Sequence, residues 1–152
     1  MEVEVVPYEV DGWGVGELYF VDGRLVYHEL PSARRAASVD HPLVQRLVAY
    51  FSGEPVSLDD VELDLEWMTP FQRAVADALR AVPYGETVTY GELAALAGHP
   101  NAYRAAGSFC AGNRFPLFVP CHRVVAAGGI GPYGSLGSEY KRRLLELEGA
   151  TL

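Results

Sequence analysis

The apolar positions change their period about halfway along the chain. In WGVGELYFVDGRLVYHEL, residues 13–30, two runs rich in β-branched and aromatic residues flank Asp22-Gly23, the two-residue signal of a β-hairpin. Pro31 to Asp40 is polar and reads as a loop. HPLVQRLVAYFSGEP then sets Leu43, Val44, Leu47, Val48 and Phe51 on one helical face, with Gly53 and Pro55 as the stop. VSLDDVELDLEW alternates acidic and apolar residues and reads as a connection with at most a short strand. The boundary is therefore expected at Thr69, giving domains 1–68 and 69–152.

Beyond Thr69 the period is helical. Thr69 is suited to cap a helix with Pro70 at its first position, and Phe71, Val75 and Leu79 share a face. AVPYGETV breaks that helix. Thr89-Tyr90-Gly91-Glu92 reads as a capping box opening a helix over Tyr90–Ala97, ended by Gly98. Asn101 is the expected cap of a second helix over Ala102–Ala111, and the pair makes a helix-turn-helix. Ala102, Ala105, Ala106 and Gly107 keep the second helix slim enough for a partner helix or a nucleic-acid backbone to come close. Phe115–Val119 looks like a strand, and a last helix is expected over Glu139–Glu148. The fold class is α/β: a small N-terminal α/β domain of hairpin or sheet plus helix, then a mostly helical, winged helix-turn-helix-like domain.

Composition narrows the class. With 152 residues the chain can hold one medium domain or two small ones. No apolar run approaches the roughly 20 residues of a membrane span. MEVEVVPYEV lacks the basic start and apolar centre of a signal peptide. Two cysteines are too few for a disulfide framework, which points to a reducing, cytoplasmic setting. The net charge of −8 is unevenly spread: residues 1–70 hold four arginines against fourteen acids, and residues 71–152 eight basic residues against six acids. Between Pro100 and Arg123 there is no acid, while Arg104, Arg114 and Arg123 are present. That is the pattern of a phosphate-facing surface, or of an ordinary solvated face.

The residue that asks for an explanation is Cys121, in FPLFVPCHRVVAAGG. It is either a small hydrophobe in a core or a nucleophile, and a nucleophile needs a base or a lowered pKa. His122 follows it directly. Glu148 ends the last helix, where the dipole disfavours a carboxylate, so a positive or proton-sharing partner is expected there. If that partner is His122, then Glu148, His122 and Cys121 form a chain that orients, activates and attacks; otherwise Glu148 is a solvated helix end. Asn113 reads as a turn residue or cap, Tyr90 as core or contact, Arg104 as contact or solvated charge. GGIGPYG, around Tyr133 and Gly134, is a glycine-rich loop without the spacing of a phosphate loop. Cys110, Cys121, His99 and His122 match no common zinc spacing, so no metal and no cofactor is expected.

TPFQRAVADAL, VPYGETVTYGELAALAG, RAAGSFCAGN, VPCHRVV and YKRRLLELEG stand in an order that resembles the O6-alkylguanine-DNA alkyltransferases, the methylated-DNA–protein-cysteine methyltransferase family. The likeness is dense over Thr69–Gly149 and looser before it, where LVAYFSGE resembles the family's N-terminal helix. It implies a DNA repair protein that moves an alkyl group from O6-alkylguanine in double-stranded DNA onto Cys121, once and irreversibly. Catalytic roles then fall to Cys121, His122, Glu148 and Asn113, the last as a hinge. Tyr90, Arg104, Ala102, Ala105 and Gly107 would meet DNA, with Tyr90 aiding rotation of the nucleotide and Arg104 filling the gap left by the flipped base. Tyr90, Val124, Tyr133 and Gly134 would line the substrate pocket. The resemblance also implies a monomer without a membrane partner, nucleoid-associated in a prokaryote or nuclear in a eukaryote, and leaves O4-alkylthymine open as a further substrate.

The chain departs from the family pattern at Arg114, where proline is common, and in the loop GPYGSLG. It lacks the cysteines of the N-terminal zinc site found in some members. A related group has tryptophan in place of the cysteine, and Cys121 argues against that group. Two rivals are a helix-turn-helix lesion-binding protein with an inert Cys121 and a cysteine hydrolase.

Overall fold

The computed structural model describes residues 2–32 and 41–152. Two compact units are present, Met1–Asp64 with Arg114–Pro116, and Leu65–Asn113 with Leu117–Leu152. The main break falls a few residues before the expected one. The Leu25–Leu63 bridge and the Arg24–Asp64 contact at 3.4 Å tie the connection to the sheet. Arg114–Pro116 joins the first unit because the His28 backbone N–H donates to the Arg114 carbonyl at 3.0 Å.

The first unit is a three-stranded antiparallel sheet of β1 (Val3–Val10), β2 (Gly14–Val21) and β3 (Arg24–Ser32), in chain order, with helix α1 (Pro42–Phe51). Asp22 and Gly23 both have positive φ, 51° and 75°, as the tight turn between twisted strands requires. The hairpin is thus as expected, and β1 adds a strand the hydrophobic pattern did not single out. Pro31 and Ser32 belong to β3 rather than to a loop, and the rest of the expected loop lies outside the described residues. Gly16 faces Tyr8 across the sheet, and a Cβ on it would sit 2.5 Å from the Tyr8 ring, so only glycine fits. On α1, Leu43, Val44, Leu47, Tyr50 and Phe51 are buried. Val48, expected inside, is 39% exposed: it lies at the edge of the apolar stripe, and Tyr50 takes its place.

The second unit holds α2 (Pro70–Arg80), α3 (Tyr90–Leu96), α4 (Tyr103–Ala111) and α5 (Gly137–Leu147). Strands β4 (Val88–Thr89) and β5 (Val124–Val125) pair in parallel over two residues. Both predicted threonine caps act as such. Thr69 and Gln72 exchange side-chain and backbone hydrogen bonds at the start of α2, and Thr89 and Glu92 do so at the start of α3. Gly98 ends the turn after α3 with φ 85°. Asn101 does not cap α4. The Ala102 N–H is taken by the His99 carbonyl at 2.9 Å, which makes Ala102 the residue before the helix and removes Asn101 from capping position.

Phe115–Val119 is not a strand. Phe115, Leu117, Phe118 and Val119 are buried, which is why the run looks strand-like, but Pro116 lacks a donor and Leu117 turns the chain with φ 73°. The segment is a buried turn that ends in a short 3-10 helix, Cys121–Arg123.

Candidate active site

Cys121 begins that 3-10 helix, and its N–H donates to the Val119 carbonyl at 2.8 Å. Its side chain is inside, at 3% exposure. Asn113 holds the preceding turn in place: its Nδ2 donates to the Val119 carbonyl at 2.7 Å, and its side chain also hydrogen-bonds the Cys121 thiol. The buried turn and the thiol thus share one polar brace. Burial pushes the thiol pKa well up, as does the neighbouring Cys110, while the Asn113 hydrogen bond and the Lys141 charge pull it down. The resting sulfur is therefore a protonated thiol.

His122 and Glu148 meet as the sequence pattern anticipated. Nε2 of the fully buried imidazole lies 2.5 Å from Glu148 Oε2. The carboxylate sits at the end of α5, where the dipole opposes it, and three further donors offset this. Arg123 Nε and Nη2 donate to its two oxygens at 2.9 and 3.1 Å, and the Gly85 N–H donates at 3.1 Å. Burial alone would raise the Glu148 pKa, but hydrogen bonds and charge from His122 and Arg123 hold it well below the usual carboxylate range. For His122, burial lowers the pKa and Glu148 opposes that. The resting pair is thus a neutral imidazole that donates Nε2–H to a carboxylate.

The motif around the cysteine did not reveal Arg123 as a partner of Glu148. Its guanidinium also donates to the Val82 carbonyl at 2.9 Å, so it ties three segments together. The signal available in the sequence was the carboxylate itself, since a buried anion at a helix end calls for a buried cation. Lys141 was missed as well. It is buried on α5, its Nζ donates to the Pro132 carbonyl at 3.2 Å and stands 5.7 Å from the centre of the Tyr90 ring.

A cavity of about 150 Å³ opens over the thiol. Tyr90 from α3, Gly107, Cys110 and Ala111 from α4, Cys121, and Pro132, Tyr133 and Gly134 from the glycine-rich loop line it. Burial raises the Tyr90 pKa to about 12, so its hydroxyl stays a donor across the physiological range. The Tyr133 hydroxyl oxygen is buried with no hydrogen-bond partner among the described residues. Of the residues expected in the pocket, Tyr90, Tyr133 and Gly134 are there. Val124 is not; it is fully buried and spends its backbone on the ladder with Val88.

Of the residues expected at DNA, Gly107 faces the cavity, while Arg104 and Ala105 are exposed on α4 and Ala102 is half-buried at its start. Arg104 stacks its guanidinium 5.8 Å from the centre of the Tyr103 ring and does not line the cavity. Among the described residues no group of three metal-ligating side chains comes together. No helix there is long and apolar enough to cross a membrane.

Residues 70–150 match the family model described as 6-O-methylguanine DNA methyltransferase, DNA binding domain. The methylated-DNA–protein-cysteine methyltransferase of Methanopyrus kandleri is 48% identical over 111 residues, covering 72% of this chain and 81% of that protein. That of Mycobacterium bovis is 50% identical over 106 residues, 69% of this chain and 62% of the relative. Among solved structures, the O6-methylguanine methyltransferase of Mycobacterium tuberculosis superposes with a TM-score of 0.81 at 36% identity, covering 97% of this chain and 93% of that one. A DNA complex of the protein from that organism gives 0.80 at 37% identity, covering 95% and 92%.

Proposed function

The chain belongs to the 6-O-methylguanine DNA methyltransferase family, and from that premise we propose that it repairs O6-alkylguanine in double-stranded DNA by moving the alkyl group to Cys121. The observation that carries the reading is a buried thiol at the base of a cavity, followed in the chain by a histidine bonded to a buried carboxylate. Such a thiol is slow toward chance electrophiles because burial keeps it protonated. Nε2 of His122 is held by Glu148, so a proton leaving Cys121 enters the ring at Nδ1. The resulting imidazolium is stabilised by the ionised Glu148, while Lys141 and Asn113 favour the thiolate. The thiolate sulfur attacks the alkyl carbon, the carbon–oxygen bond breaks, and guanine leaves with its ring protonated. Tyr90, whose hydroxyl keeps its proton, is suited to hydrogen-bond the departing base, and the proton taken up by His122 is the one available to neutralise it.

An alkylated sulfur is a thioether and cannot become a thiolate again, so the protein acts once per molecule. The base must leave the stack to reach the cavity, at a cost of a few kcal/mol. Arg104, exposed on the slim α4, would enter the duplex as the base departs. A DNA substrate puts the protein with the nucleoid of a prokaryote or in a eukaryotic nucleus.

The test compares free O6-benzylguanine with duplex DNA carrying O6-methylguanine. Arg104→Ala should slow the duplex reaction strongly and the free-base reaction little. Equal slowing of both would remove Arg104 from base extrusion. A Cys121→Ala protein that still accepts the benzyl group would remove Cys121 as acceptor.

A further inference from the structure

The alkyl-transfer reading uses one of the two thiols that line the cavity and leaves the other unexplained. Cys110, in the last turn of α4, and Cys121 are both reduced, and Cys110 stands near enough to help raise the Cys121 thiol pKa. Both face the same cavity. Cys110 is half-buried, whereas Cys121 is 3% exposed, so a small oxidant entering the cavity meets Cys110 on the more open side. Ten residues separate the two in sequence, a loop short enough to keep them together through local fluctuations.

We propose that Cys110 and Cys121 form a reversible disulfide when the protein meets a hydroperoxide, a latch that withdraws the acceptor sulfur and shields it from deeper oxidation. The sulfur of Cys110 attacks one peroxide oxygen as its thiolate. The O–O bond breaks, giving a sulfenic acid on Cys110, and the other oxygen leaves as water after taking the thiol proton. The Cys121 sulfur then attacks the Cys110 sulfur: the S–S bond forms, the S–O bond breaks, and hydroxide departs as water with the proton of the Cys121 thiol. Two thiols are oxidised by two electrons, and one hydroperoxide is reduced to two waters, or to water and an alcohol. A dithiol reductant reverses the step by exchange.

The shared cavity favours this route over stepwise oxidation of one sulfur. A sulfenic acid with a second thiol beside it in the same cavity condenses before a second peroxide arrives, whereas an isolated one goes on to the irreversible sulfinic acid. Forming the bond brings the sulfurs to about 2.05 Å, and the end of α4 and the 3-10 turn are element termini with little ladder to break. The functional consequence rests on the reading of Cys121 as the acceptor, but the bond itself does not.

The experiment treats the full-length protein with hydrogen peroxide, blocks remaining thiols, and measures intact mass, non-reducing peptide maps and alkyl transfer before and after dithiothreitol. The expected product is about 2 Da lighter, with Cys110 and Cys121 in one cross-linked peptide. Dithiothreitol should restore most of the transfer rate. In Cys110→Ser, compared with its own untreated rate, recovery should be about tenfold poorer, with Cys121 about 32 Da heavier as the sulfinic acid. Wild-type protein that gains oxygen on Cys121 with no cross-linked peptide would overturn the proposal, as would equal recovery in Cys110→Ser. The peptide map needs no variant, so a poorly folding Cys110→Ser does not block the test. A cross-link that leaves alkyl transfer intact would support the disulfide and count instead against Cys121 as the acceptor.

Discussion

His28 in the first unit and His122 in the second are both withdrawn from water, at 1% and 0% exposure, and each has a ring nitrogen held by a close partner. Their partners differ. Two neutral groups hold the His28 ring: the Pro116 carbonyl lies 2.8 Å from Nδ1, and the Tyr8 hydroxyl 2.6 Å from Nε2. A carbonyl only accepts, so Nδ1 carries the proton and Nε2 accepts from Tyr8. Both nitrogens are used, and burial lowers the pKa to about 4. His122 has a carboxylate, itself fixed by Arg123, on one nitrogen. Burial lowers its pKa too, but the fixed negative charge awaits the proton. The first histidine is built as a strut, and the second is the base of the proposed reaction. Burial alone does not separate them; the charge of the partner does.

The change that breaks the contrast most severely is Glu148→Gln. It removes the anion behind His122 and leaves the Arg123 guanidinium buried without its counter-charge. Alkyl transfer should fall by roughly 10²–10⁴-fold, the usual span for losing general-base assistance. Stability should fall by about 3–5 kcal/mol, the cost of breaking a buried pair from one side. Single-turnover kinetics and urea titration check the two parts. An unchanged rate in a folded variant would mean that the carboxylate only packs.

His28→Leu is the matching change in the other unit. It deletes two hydrogen bonds and leaves Tyr8 and the Pro116 carbonyl to find others, for about 1–3 kcal/mol of stability. The transfer rate of the folded protein should stay near that of the parent. A rate loss like that of Glu148→Gln would show that His28 is more than a strut.

Acid should sharpen the contrast. His28 has a folded pKa of about 4 against an ordinary value of 6.5, a depressed pKa. Its contribution is therefore complete above pH 6.5 and is lost as pH falls toward 4, because the unfolded chain binds a proton that the folded one refuses. The slope is about 1.4 kcal/mol per pH unit for one such group. His122 is shifted in the same direction and acts with the same sign. Glu148, held low, adds a further loss only below the ordinary carboxylate range. Urea midpoints between pH 7.5 and 5 should fall less steeply in His28→Leu than in the parent. Parallel curves would contradict the buried neutral state.

Asn113→Ala should have the smallest effect on stability, about 1–2 kcal/mol for the donor lost to the Val119 carbonyl. It should also slow transfer, because the same side chain hydrogen-bonds the thiol and favours its charged form.

Features governed by neighbours in sequence were legible in advance. The Asp22-Gly23 turn, the Thr69 cap, the Thr89 capping box and the Gly98 stop depend on a few consecutive residues and formed as expected. Glu148 found His122 because a helix-end carboxylate needs a partner. What escaped was set by contacts between distant segments. Phe115–Val119 has the composition of a strand, yet no strand among the described residues pairs with it, and Asn113 and Leu117 make it a turn. Asn101 lost its capping role to a single backbone bond from Ala102 to His99. The roles of Arg123 and Lys141 and the meeting of the two cysteines at one cavity depend on how α4, α5 and the 3-10 turn converge, which no local pattern encodes.

The central claim is that Cys121 is a single-use acceptor, and intact mass under substrate excess tests it most directly. The protein is incubated with several equivalents of duplex DNA containing O6-methylguanine, then weighed and digested. The account predicts a gain of about 14 Da on the Cys121 peptide, one methyl for one thiol proton, with repair stopping at one lesion per molecule. Lesions repaired in clear excess over protein, with Cys121 unmodified, would contradict it.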